Sequence, residues 1–177
     1  CVRRELPSGR EVPWQEELYA EPAVLDRPTR QPRLVHDTLC VNKLYRADFL
    51  REHAIRFPEG RFRYEDFVFT ARVLAAGPRM ALVPDRVYVC TCAAPPNSCP
   101  SPWTGRASTT GRARAEASRQ AYEILLNSGQ KELARAARAK FLDHELRMYA
   151  RELGLRDTEY RQAWWTHTRE FLGEYDA

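Results

Sequence analysis

Glu65 and Asp66 form an adjacent carboxylate pair in Tyr64-Glu65-Asp66, preceded by the turn-forming run Phe57-Pro58-Glu59-Gly60. Upstream stands an amide and amine pair, Asn42-Lys43, in Asn42-Lys43-Leu44-Tyr45. A carboxylate within hydrogen-bond reach of a hydroxyl can take its proton as that hydroxyl attacks carbon, provided the carboxyl pKa is not driven too low. A second use stays open. Acidic residues in a first helical turn favour the positive end of the helix dipole, by about 0.3–1 kcal/mol. The two uses are compatible, because a helix N-terminus at a cleft also directs free amides at bound anions. Lys43 could carry positive charge to an anionic ligand or to the base, or lie on a solvated helix face. His36-Asp37, just before this pair, is either a hydrogen-bonded pair near the site or a helix cap.

Other chemistry-bearing residues are less well supported. Cys90-x-Cys92 with Cys99 lacks the fourth ligand that structural zinc requires, and His53 and His144 are far off in sequence. Trp103, Trp164 and Trp165 could stack on a ring, although packing is the expected use of the last two. Arg135, Arg138 and Arg147 lack the interleaved aromatics of a single-strand nucleic-acid platform. The sequence holds no Asp-x-Asp pair and no glycine-rich phosphate loop.

The elements that must position these residues follow from local signals. Residues 1–35 carry five prolines and read mostly as loop, with a short helix near Trp14–Tyr19. Asp37-Thr38 is expected to open a helix that carries Asn42 and Lys43 to about Glu52. A second helix is expected from Glu65 to Ala76, ended by Gly77, with Pro78 unable to extend it. Met80–Val83 and Arg86–Val89 read as strand pieces around Pro84-Asp85. Residues 90–112 show neither helical nor alternating period and read as irregular loop. Beyond Arg114 three helices are expected. The first carries Ala121, Tyr122, Leu125 and Leu126, and Asn127-Ser128-Gly129 ends it. The second runs from about Gln130 to Leu153 with Phe141, Leu142, Glu145, Leu146 and Tyr149 near one face. The third is capped by Asp157.

Composition bounds the class. At 177 residues the chain is one domain's worth, able to bury roughly 70% of its unfolded surface. Its net charge of +4 comes from interspersed signs, which permits an anionic ligand without demanding nucleic acid. No apolar run approaches the ~20 residues of a membrane span. Five cysteines in no regular framework suggest thiols in a reducing cytoplasm.

The ordered set Asn42-Lys43-Leu44-Tyr45-Arg46, Phe49-Leu50, Phe57-Pro58-Glu59-Gly60, Tyr64-Glu65-Asp66, Phe69-Thr70, Val83-Pro84-Asp85 and Val87-Tyr88 resembles the acceptor-side half of a family 2 glycosyltransferase of GT-A fold. The bacterial cell-envelope subgroup, sometimes fused to a glycerophosphotransferase module, is the most similar and points to teichoic acid and cell-wall biogenesis. The resemblance covers about residues 34–89 and continues more weakly to about Leu172. It implies an α/β fold, the C-terminal part of a Rossmann-like GT-A domain over residues 1–113, followed by a small all-α bundle over 114–177. It implies inverting transfer of a sugar from a nucleotide-sugar donor to a polyol or glycan acceptor. Asp66 matches the family's catalytic base, Glu65 its neighbour shaping the acceptor site, and Asn42 and Lys43 the substrate-binding Asn-Lys pair. A divalent metal, Mg or Mn, is implied, with ligands in a nucleotide-binding half expected before Cys1. The chain alone is then expected to be inactive. It is placed in the cytoplasm, with peripheral association at the inner face of the membrane and self-association as further expectations. The family's basic and aromatic residues after Val87-Tyr88 are missing, as a local reading-frame change over 90–112 would explain. The alternative is a non-catalytic helical interaction module in which Glu65-Asp66 only caps a helix.

Overall fold

The computed structural model of the chain describes residues 2–5, 8–60, 63–92 and 107–173. The N-terminal part is built of short pieces. Strand β1 (Val2–Glu5) pairs antiparallel with β2 (Glu11–Pro13). Strand β3 (Ala23–Leu25) pairs antiparallel with β4 (Met80–Leu82). Strand β5 (Val89–Cys92) runs parallel to β1, giving the order β2-β1-β5. Three 3₁₀ turns, Glu16–Leu18, Pro28–Arg30 and Pro32–His36, link the pieces.

Helix α1 (Ala47–Glu52) is short, and α2 (Glu65–Ala75) is the central helix of this part. Its sequence explains its placement, because Phe67, Val68, Phe69, Thr70, Ala71, Val73 and Leu74 are all buried. A helix apolar around most of its circumference must lie inside. It stops at Gly77, whose φ of 66° suits a residue without Cβ. Beyond, α3 (Ala107–Asn127) ends in a Schellman turn, with Gly129 at φ 79° and the Gln130 N–H donating to Leu125 O at 2.9 Å. Helix α4 (Lys131–Lys140) passes through one π turn, Phe141–Leu146, into α5 (Arg147–Glu152). Helix α6 (Thr158–Gly173) starts where Asp157 Oδ1 accepts the Tyr160 N–H at 2.7 Å.

Two apolar clusters hold these elements. The larger joins Leu18, Leu34, Val35, Ala71, Leu74 and Leu82 to Ala121, Leu125, Leu133 and Ala134. It therefore runs from the strand region into the C-terminal helices, and residue 113 lies inside α3. The smaller gathers Ile55, Phe69 and Val73 with Cys40, Tyr45, Phe49 and Leu50. Here Phe57 stacks on Phe69 with centroids 4.1 Å apart, and Tyr45 meets Phe69 edge-on at 5.3 Å.

Three local expectations are corrected. No helix spans Asp37 to Arg46. Asp37, held by Trp14 and Tyr19, draws Asn42 and Lys43 to itself, and the Lys43 ammonium donates to Leu39 O, the carbonyl that would accept the Lys43 N–H in a helix. The second strand of the 80s lies at Val89–Cys92 rather than Arg86–Val89, in register with β1. Residues 90–112 are not wholly irregular, because β5 reaches Cys92 and α3 begins at Ala107. Cys99 and Trp103 fall outside the described residues, as does most of the stretch suspected of a reading-frame change.

Candidate functional site

The loop between the third 3₁₀ turn and α1 is organised by Asp37, whose side chain is fully buried. Its Oδ1 accepts Trp14 Nε1–H at 2.8 Å and the Leu39 N–H at 3.3 Å. Its Oδ2 accepts the Tyr19 hydroxyl and Asn42 Nδ2–H at 2.9 Å, and pairs with Lys43 Nζ at 2.9 Å. Burial alone would raise the Asp37 pKa. The Lys43 charge and the bonds from Tyr19, Lys43 and Trp14 outweigh it and hold the carboxyl below its ordinary value. Burial, with Asp37 close by, pushes the Tyr19 phenol far up. Lys43 is itself mostly buried, and that desolvation lowers its pKa against the opposing pull of Asp37.

This arrangement decides what Asn42 and Lys43 do. The three ammonium protons of Lys43 match three acceptors: Asp37 Oδ2, Asn42 Oδ1 at 2.9 Å and Leu39 O. Asn42 likewise uses both ends of its amide, donating to Asp37 and accepting from Lys43. Both expected ligand-binding side chains are thus engaged within the loop. Lys43 still acts at a distance, since its positive charge is felt by Cys40 and Asp66.

Asp66 sits in the first turn of α2 and is half-buried, whereas Glu65 is exposed. The turn into α2 is unusual, because Tyr64 adopts a left-handed conformation with φ 62° and ψ 35° and supplies no side-chain cap. Asp66 Oδ1 accepts the Cys40 thiol at 3.0 Å. Among the described residues no cation pairs directly with Asp66, and its Oδ2 carries no hydrogen bond. Burial, then the bond and charge of Asp66, push the Cys40 thiol up to about 11. The structure thus brings Asp66 together with Cys40 and, electrostatically, with Lys43 and Tyr45. Glu65 lies at the surface beside them.

Sequence reasoning missed three members of this neighbourhood. Cys40 donates to the carboxylate, while Trp14 and Tyr19 anchor Asp37 from 23 and 18 residues away. Nothing in local spacing signals these contacts. Among the described residues no three His, Cys, Asp or Glu side chains gather as a metal would require. Within the same residues no helix is long and apolar enough to cross a membrane. Trp164 lines a cavity of ≈ 40 Å³ with Tyr160 and Phe171, so it packs, while Trp165 is largely exposed.

Comparison with protein-family models, with curated proteins and with solved structures finds no match to this chain.

Proposed function

We propose that this chain carries the acceptor side of an inverting glycosyltransferase, with Asp66 as general base. The observation that supports this reading is the asymmetry of the Asp66 carboxylate. One oxygen is fixed by the Cys40 thiol, and the other has no partner among the described residues. A fixed carboxylate with one open oxygen suits proton abstraction, because its position is set while its basic lone pairs stay available. In the proposed step the acceptor hydroxyl gives its proton to Asp66 Oδ2. The acceptor oxygen bonds to the anomeric carbon of the sugar, and the bond from that carbon to the nucleoside diphosphate breaks. In this reading Lys43 contributes a nearby positive charge, and Glu65 borders the acceptor. The step proposed for this chain's own residues is the proton transfer.

A second reading, a non-catalytic helical module, is favoured by one observation. The motif residues Tyr45, Phe49 and Phe69 form a small core, and Lys43 and Asn42 serve the Asp37 loop. In that reading Glu65 and Asp66 only complement the α2 dipole. Incubating the intact gene product with a nucleotide sugar, Mg or Mn and a polyol acceptor separates the two. The glycosyltransferase reading predicts release of nucleoside diphosphate and a product of inverted anomeric configuration by NMR. No release across a panel of nucleotide sugars favours the helical module.

A further inference from the structure

The C-terminal helices meet the turn that launches Asp66. Glu145, in the π turn, is buried and forms ion pairs with Arg114 of α3 and with Lys140, the latter at 3.3 Å. Both cations also face aromatic rings at the start of α2. The Arg114 guanidinium lies 4.9 Å from the Tyr64 ring centroid and 5.2 Å from that of Phe67, and Lys140 Nζ lies 4.3 Å from Phe67. Tyr149 of α5 is buried with its hydroxyl beside that of Tyr64. The residues flanking Glu65-Asp66 on both sides are therefore held by one cluster from the helices.

We propose that the cluster of Glu145, Arg114, Lys140 and Tyr149 is a positioning device for Asp66, clamping Tyr64 and Phe67 so that the carboxylate meets Cys40. Three features support a dedicated device over incidental packing. Tyr64 holds a left-handed backbone, with φ 62°, that is unfavourable for a non-glycine residue and persists only where its surroundings enforce it. Glu145 is a buried carboxylate serving two buried or half-buried cations, an arrangement that apolar residues of similar volume often match or exceed in stability. The π turn carrying Glu145 is a rare local geometry that concentrates at functional positions. The C-terminal helices are then part of the site rather than an appendage to it. The catalytic meaning of the device rests on the reading of Asp66 as a base, but the clamp itself does not.

The test reads the Asp66–Cys40 contact directly and needs no turnover. Iodoacetamide alkylation of Cys40 at pH 8.5 is followed by quantitative peptide mass spectrometry in the full chain. Asp66→Asn sets the fast limit, since removing the neighbouring charge lowers the thiol pKa. Tyr149→Phe and Glu145→Gln should move the rate toward that limit by about threefold or more, because half a unit of thiol pKa changes the thiolate fraction by that factor. Leu82→Ala, which removes a buried side chain of β4 in the larger core away from the cluster, should leave the rate near wild type. Circular dichroism identifies variants that remain folded, and Tyr149→Phe carries the test if Glu145→Gln does not fold. An unchanged Cys40 rate in folded Tyr149→Phe, or an equal rise in Leu82→Ala, overturns the clamp. Transfer activity retained by Asp66→Asn would remove the catalytic reading and leave this result standing.

Discussion

Replacing Asp37 by Asn keeps the side chain's size but removes the charge at the centre of the 37–43 loop. The Asp37 side chain is 1% exposed and that of its partner Lys43 is 23% exposed, so little solvent screens the pair. An Asn amide presents one acceptor oxygen in place of two, and its NH₂ would face the donors Asn42 Nδ2 and Lys43 Nζ. Removing one partner of a buried ion pair costs about 3–5 kcal/mol, and the partial exposure of Lys43 places this case near 3. For a chain of this size each kcal/mol moves the midpoint by about 2–4 °C, so Asp37→Asn should lower Tm by roughly 6–12 °C. Urea unfolding followed by tryptophan fluorescence gives the same quantity at constant temperature. Asp48→Asn, which loses only the exposed 2.9 Å pair with Arg51, serves as the control and should cost under about 0.5 kcal/mol. A loss below about 1 kcal/mol for Asp37→Asn, or one no larger than the control, would refute the view that this carboxylate organises the loop.

Acid should find the same group. The folded-state pKa of Asp37 lies below its ordinary value of 3.8, so its contribution is present above about pH 4 and lost as pH falls through the folded value. The urea midpoint of wild type should therefore drop more steeply below pH 4 than that of Asp37→Asn. Cys40 has the opposite sign, with a folded pKa of about 11 against an ordinary 9.0. Its retained proton favours the folded state below pH 9, an advantage lost as pH rises through 11, and its alkylation rate should still be climbing at pH 10. A plateau by pH 9 would contradict the Asp66 contact. Leu125→Ala deletes a buried side chain shared by α2, α3 and α4 and should cost about 2–5 kcal/mol in one cooperative transition by urea titration. Two separate transitions would contradict a shared core.

Parts of this architecture are readable from local sequence because the signals are local. The buried run from Phe67 to Leu74 with Gly77 after it specifies α2 almost to the residue. The break at Asn127-Ser128-Gly129 and the cap at Asp157 are equally short-range, and both appear where their residue types direct. The loop carrying Asn42 and Lys43 escaped because what decides it is distant. Trp14 and Tyr19 bring their donors to Asp37 from another segment, and the carboxylate then draws Asn42 and Lys43 away from helical geometry. The parallel pairing of β1 with β5 joins residues nearly ninety positions apart, with no periodic signal at either end. Glu145 was visible as a polar residue on an otherwise apolar face. That it meets Arg114 and Lys140 follows only from packing α3 against the helices that follow.

The aromatic residues of the motif show how one residue type serves two readings. Tyr45 and Phe57 pack on Phe69, so burial accounts for their presence without any role in chemistry. Asp66 differs, since its open oxygen contributes to no described internal contact. The most direct measurement is therefore the single-turnover rate of sugar transfer by the intact gene product and its Asp66→Asn variant at saturating donor. The base mechanism predicts a fall of about 10²–10⁴-fold with donor affinity unchanged. Transfer by Asp66→Asn at the wild-type rate would contradict it.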